Sequence, residues 1–174
     1  AANPILVEAT RGNMVESFHR GRYVVMTSDG TVVDQGGDID ALMYPRSAIK
    51  PLLAIPFVES GAVEAFGLED KHIALACSSH NGEEEHAQTV KAWLEKIGLS
   101  VDTLECAPHY SLSQAAGIKQ ASDHVTLTKA HNNCSGKHSG FLSTIQQLGE
   151  DPAGYIEEAH PVQQRLIKVL EEMG

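Results

Sequence analysis

The apolar positions change period part-way along the chain. ILVEATRG and RYVVMTSDGTVVDQGG are rich in β-branched and aromatic residues and read as early strands. Asp29-Gly30 lies between two such runs and predicts a tight hairpin turn. The expected opening is therefore a small antiparallel meander. From SAIKPLLAIPFVESG onward the pattern predicts helices, the first ending at Gly61. Pro51 and Pro56 each remove a backbone donor, so this helix should be kinked or interrupted early. KHIALACSS, apolar and bounded by polar residues, reads as a short buried strand.

NGEEEHAQTVKAWLEKIG carries the clearest helical pattern. Glu83, Glu84 and Glu85 fall in the first turn, where the helix dipole favours anions. His86, Val90, Trp93, Leu94 and Ile97 share a face, and Gly98 ends it. DTLECAPHYSLSQAAG reads as loop, with a helix around Ser113 to Lys119. HVTLTKAHNN is irregular or a short strand. CSGKHSGFLSTIQQLG predicts a helix capped by Asn132 or Asn133 and stopped by Gly149. A final helix should start near Pro161, a favoured first helical residue.

Strands first and helices afterwards indicate an α+β fold. An opening hairpin is marginal alone and needs further strands to pair with. Few later strands are offered, so the sheet is expected to be incomplete within residues 1–174. The chain then reads as the N-terminal part of a single larger domain, with 42–174 as its helical, site-bearing part.

Composition narrows the function. A net charge of −10 over 174 residues argues against nucleic acid and against an anionic membrane surface, since both need Lys and Arg. No apolar run is long enough to span a bilayer, and AANPILVEATRG lacks a signal-peptide pattern. Cys77, Cys106 and Cys134, odd in number and irregularly spaced, do not suggest a disulfide framework. The expectation is a reducing compartment, the cytoplasm.

Three stretches carry candidate chemistry. In YPRSAIKP, Ser47 and Lys50 are three apart, so a lysine can reach a serine hydroxyl across one helical turn. Serine needs a base to become a nucleophile. The same spacing serves penicillin-binding proteins and class A β-lactamases, while the bland alternative is a serine cap beside a solvated lysine. Pro51 favours a position at a helix entrance, where free N–H groups could stabilise an oxyanion. Arg46 adds positive charge beside the pair. In CSSHNG, Ser79 or His80 could join a hydroxyl relay. Alternatively Ser79 or Asn81 caps the next helix, and Asn81 with Glu84 has capping-box spacing. In HNNCSGKHSG, Cys134 and His138 are four apart, the spacing of two metal ligands on one helical face. Cys134 could instead be a thiol acidified by a helix N-terminus, or simply buried.

PRSAIKPLLAIPFVESGA, LACSSHNGEEEH and HNNCSGKHSGF, in this order and spacing, together with NPILVEATRGNMVESFHRG, resemble the rhizobial-type L-asparaginases of the asparaginase II family. The resemblance spans essentially the whole chain. It implies a fold similar to serine β-lactamases and penicillin-binding proteins, and hydrolysis of L-asparagine to L-aspartate and ammonia. It implies two Ser–Lys pairs: Ser47 and Lys50 match the first, and Ser79 matches the serine of the second. It also implies zinc held by two cysteines and a lysine. Cys134 and Lys137 match the first cysteine and the lysine, which replaces the Cys134/His138 ligand pair. Arg46, His80, Asn81 and His138 are the expected substrate-binding neighbours. The family's second lysine and second zinc cysteine lie further along, beyond any counterpart in these residues. The expected partner is a small-molecule substrate, and the reading allows a homodimer. The alternatives are a Ser-x-x-Lys hydrolase of the β-lactamase type and a non-catalytic zinc- or amino-acid-binding fragment.

Overall fold

The structure, a computed structural model, describes residues 2–173 and divides into two compact units, Ala1–Tyr44 and Pro45–Gly174. The first unit is all β. Strand β1 (Ile5–Arg11) pairs antiparallel with β2 (Met14–Arg20), turning at Gly12 with φ +60°. Strand β3 (Tyr23–Met26) pairs antiparallel with β4 (Val32–Gly36). Their turn is the one predicted at Asp29-Gly30. Gly30 has φ +84°, and the Thr31 N–H donates to Asp29 Oδ1 at 3.2 Å. The expected single meander is corrected to two separate two-stranded sheets. The Arg22 guanidinium donates to the carbonyls of Asp38 and Leu42, which ties down the segment after β4. Every residue of β1, β2 and β3 is exposed.

The second unit is helical. A 3-10 turn at Arg46–Ile49 leads into α1 (Lys50–Leu53), α2 (Ile55–Glu59) and α3 (Ala62–Ala65). Pro51 and Pro56 are the second residues of α1 and α2, within the first turn, where a missing N–H costs nothing, so the interrupted helix is as expected. Gly61 supplies the left-handed stop, with φ +77°. Next come α4 (Asp70–Cys77), α5 (Glu84–Lys96), α6 (Gln114–Ser122), α7 (Ser135–Leu148) and α8 (Pro161–Met173).

One expectation fails here. KHIALAC is helix α4, not a strand. Its buried residues His72, Leu75 and Ala76 follow a helical period, and a capping box starts it: Glu69 accepts from the third-residue N–H while the Glu69 N–H donates to His72 Nδ1 at 2.9 Å. Of the two readings of HVTLTKAHNN the irregular one holds, with a 3-10 turn at Lys129–His131. Its N-terminus uses the same device, the Thr128 N–H donating to His131 Nδ1 at 3.0 Å. The order of strands followed by helices holds, so the molecule is α+β. Among the described residues no strand follows Gly36.

Helix α7 is the centre of this unit: Ser135, Gly136 and all residues from His138 to Ile145 are buried. Its hydroxyls are satisfied internally. Ser139, Ser143 and Thr144 donate to the carbonyls of Ser135, Ser139 and Gly140, and Ser143 Oγ accepts from the Trp93 indole at 2.9 Å. Trp93 is fully buried, with Phe57 5.4 Å from it between ring centroids. Helices α4 and α7 approach so closely that a Cβ on Gly136 would stand 2.5 Å from the Leu75 carbonyl oxygen. That crossing sets the end of α4 against the start of α7, and the candidate site is built there. Among the described residues no helix is long and apolar enough to cross a membrane.

Candidate active site

Lys50, Ser79, Ser47 and Cys134 meet although they are distant in sequence. Lys50 is only 3% exposed, at the first position of α1. Its Nζ donates to Ser79 Oγ at 2.8 Å, to the Ser78 carbonyl at 2.7 Å and to Cys134 Sγ at 3.3 Å. Three acceptors match the three donors of an ammonium group. Ser79 Oγ in turn donates to Ser47 Oγ at 2.6 Å. The result is a continuous line from Lys50 through Ser79 to Ser47. Both serines are exposed, so the hydroxyl end is open while the amine end is buried.

Local structure explains each placement. Ser47 sits inside the 3-10 turn that precedes α1, the entrance position that Pro51 suggests. Arg46 begins that turn with φ +53°, a strained value for a bulky residue, and such strain clusters at functional sites. Ser78 ends α4 in extended geometry, and Ser79 follows it in the loop. Cys134 is the N-cap residue of α7, and its N–H donates to Asn132 Oδ1 at 2.8 Å. Neither asparagine is the cap residue itself; Asn132 acts two residues earlier.

The open side of the line borders two cavities. One, of about 270 Å³, is lined by Arg46, Ser47, Lys50, Leu53, Cys134 and Lys137. It presents three basic side chains and no carboxylate, a lining suited to an anionic group. The other, of about 440 Å³, is lined in part by Ser79, His80, Asn81, His86, Lys71 and Glu85.

The other predicted residues take different places. His80 is buried, and its ring is fully engaged outside the relay. The Gly82 N–H donates to Nδ1 at 3.1 Å, which leaves the proton on Nε2 to donate to Ser135 Oγ at 2.9 Å. Ser135 passes its own hydrogen to the Ala130 carbonyl at 2.8 Å. Burial, reinforced by the nearby His86 and Lys50, pushes the His80 pKa down to about 4. His80 thus pins the loop behind Ser79 to α7. Asn81 is exposed and its amide donates to Glu83 Oε1 at 3.3 Å. The Asn81/Glu84 capping box is not formed. The box on α5 is Glu83 with His86, because His86 Nδ1 rather than a glutamate accepts the N-cap N–H.

His138 is buried one turn into α7, with Nδ1 2.6 Å from the Tyr155 hydroxyl. Burial, with Lys137 and Lys50 adding to it, pushes its pKa down to about 3. Lys137 is half-buried. Desolvation lowers its pKa, the neighbouring Cys134 draws it back up and Lys50 lowers it again. Burial, together with Cys134, pushes the Cys106 thiol up to about 11. Ser135 and Tyr155 are the site neighbours that sequence reasoning missed. Both act through contacts far apart in the chain, which no local spacing signals.

Cys134 and Lys137 lie three apart and line the same cavity, so they could hold a metal together. A lysine ligand must be neutral to offer its lone pair, and the burial of Lys137 favours that form. Among the described residues no group of three His, Cys, Asp or Glu side chains gathers as a metal site, so these two donors stand without a third of those types.

No curated protein matches the chain. The family model for L-asparaginase II matches residues 7–174, a span that takes in every residue of the Lys50–Ser79–Ser47 line. The chain belongs to the L-asparaginase II family.

Proposed function

We propose that the protein hydrolyses the side-chain amide of L-asparagine to L-aspartate and ammonia, with Lys50 as the proton-transfer group for a serine nucleophile. The observation that carries this reading is the hydrogen-bonded line from Lys50 Nζ to Ser79 Oγ to Ser47 Oγ. Once Lys50 has given up a proton, the hydrogen bonds along the line reverse, the serine hydroxyls donating toward Nζ, and the free-base lysine takes the proton as the serine oxygen attacks the amide carbon. The tetrahedral intermediate collapses as the C–N bond breaks. The same proton passes from Lys50 to the leaving nitrogen, which departs as ammonia. Water, deprotonated in turn by Lys50, then opens the aspartyl ester and restores the serine. Ser79 reaches Lys50 directly, and Ser47 reaches it through Ser79, so both hydroxyls belong to one proton path.

The basic cavity supports an amino-acid substrate. Among the described residues the Arg46 side chain has no hydrogen-bond partner, and it lines the cavity beside Ser47. An arginine fork suits the α-carboxylate of asparagine. Ammonia release measured on Ser47→Ala and Ser79→Ala is expected to fall about a hundredfold or more in each. Undiminished turnover in both variants would sink the mechanism.

We also propose zinc at Cys134 and Lys137. Bound there, zinc would supply a Lewis acid able to polarise a carbonyl oxygen. Metal content measured by elemental analysis is expected to track Cys134, with Cys134→Ser purified largely free of zinc. Equal zinc in the variant and the parent would rule this site out.

A further inference from the structure

Tyr155 decides which nitrogen of His138 carries the proton. The Tyr155 side chain is fully buried. Its hydroxyl oxygen accepts the Glu105 N–H at 2.9 Å and lies 2.6 Å from His138 Nδ1. A phenol has one hydrogen to give, and among the described residues His138 Nδ1 is the acceptor within reach. If Nδ1 carried the proton instead, the phenolic hydrogen would be buried with no acceptor, an arrangement that folded proteins avoid. Counting donors and acceptors therefore places a lone pair on Nδ1 and the proton on Nε2. The ring is also held sideways. Tyr155 meets it edge-on with centroids 5.5 Å apart at 79°, and Phe141 lies 6.0 Å away.

We propose that Tyr155 is a positioning residue, locking His138 as the Nε2–H tautomer so that His138 serves the site as a hydrogen-bond donor and not as a base or lone-pair ligand. His138 follows Cys134 by one turn of α7, and its Nε2 has no hydrogen-bond partner among the described residues. The donor's role, polarising the substrate amide oxygen as negative charge builds on it, rests on the asparaginase reading above. The tautomer does not.

Long-range proton–nitrogen spectra of the protein labelled with nitrogen-15 in histidine test the tautomer directly, with His138→Gln identifying the signals. The expected result is an unprotonated, acceptor-type Nδ1 and a protonated Nε2. A protonated Nδ1 would overturn the proposal whatever the activity. Tyr155→Phe is expected to mix the two tautomers and to lower kcat roughly tenfold with KM nearly unchanged. An unchanged spectrum with unchanged kcat would overturn it. His138→Gln keeps an amide N–H near the Nε2 position, whereas His138→Asn mimics Nδ1. Gln is expected to retain the higher kcat, and Asn equalling or exceeding it would count against the donor role. Because the spectrum needs no substrate, an inactive parent would refute the asparaginase reading while the Tyr155 assignment was still decided.

Discussion

Replacing Lys50 by methionine is expected to lower kcat for asparagine hydrolysis by about 10²- to 10⁴-fold, the range for losing a general acid–base group. Methionine keeps the length of the side chain in a site that is 3% exposed, so the volume is filled. What goes are the bonds to the Ser78 carbonyl, Ser79 Oγ and Cys134 Sγ. Leaving such acceptors unpaired costs about 1–3 kcal/mol of stability, which a thermal melt would register alongside the assay. Lys50→Arg separates charge from proton transfer. A guanidinium preserves the positive charge and its donors but does not give up its proton in a protein. The arginine variant is therefore expected to be as slow as the methionine one while remaining folded. If Lys50→Arg kept more than about a tenth of the parental kcat, Lys50 would be a structural cation and the base would have to be sought elsewhere.

That experiment bears on a site only partly legible in the sequence. The three-residue spacing of Ser47 and Lys50 places them within one turn, and Pro51 points to a helix entrance; both are local facts. The partner that joins them, Ser79, is 29 residues from Lys50, and Cys134 is 84 away. No periodicity reports such contacts. They depend on how α4 and α7 cross, and α4 has the apolar pattern of a strand. HIALAC is a short apolar run, which buried strands and buried helices share. The deciding feature was the cap before it. A capping box is expected to carry Glu or Gln at its third helical position, whereas here His72, His86 and His131 fill that place in three separate elements. Histidine Nδ1 accepts the N-cap N–H equally well in geometry, but the pattern E-x-x-H or T-x-x-H does not announce itself.

Helix α7 combines a polar composition with burial, since most of SGKHSGFLST is inaccessible to solvent. Glycine and serine let neighbouring backbones come close, and the Ser139 and Ser143 hydroxyls return their hydrogens to the carbonyls four residues earlier, while Ser135 donates to the Ala130 carbonyl. The polar residues are therefore a packing surface. Only Lys137, half-buried among them, keeps a face toward the basic cavity.

Gly136→Ala tests that packing surface, and it should cost both stability and activity. The added Cβ would lie 2.5 Å from the Leu75 carbonyl oxygen, 2.7 Å from its carbon and 2.9 Å from Leu75 Cβ. Two of these are backbone atoms of α4, so no side chain can turn aside. Alanine improves helix propensity over glycine by about 1 kcal/mol. Overpacking of a rigid contact costs about 1–3 kcal/mol, and here the whole helix must move. The net expectation is a loss of up to about 2 kcal/mol in urea unfolding. Gly140→Ala is the matched control one turn later. Its Cβ would meet Ala76 Cβ at 3.4 Å and the Phe57 ring at 3.6 Å, ordinary contact distances, so alanine there should be neutral or stabilising. The activity loss has a separate cause. Ser78 and Ser79 follow directly from α4, while Cys134 caps α7. Pushing the helices apart lengthens the Lys50–Ser79 and Lys50–Cys134 contacts together, and displacements near 1 Å at a reacting centre can cost about a hundredfold. A Gly136→Ala protein as stable as its parent and fully active would show that the α4–α7 crossing does not set the geometry of the Ser–Lys line.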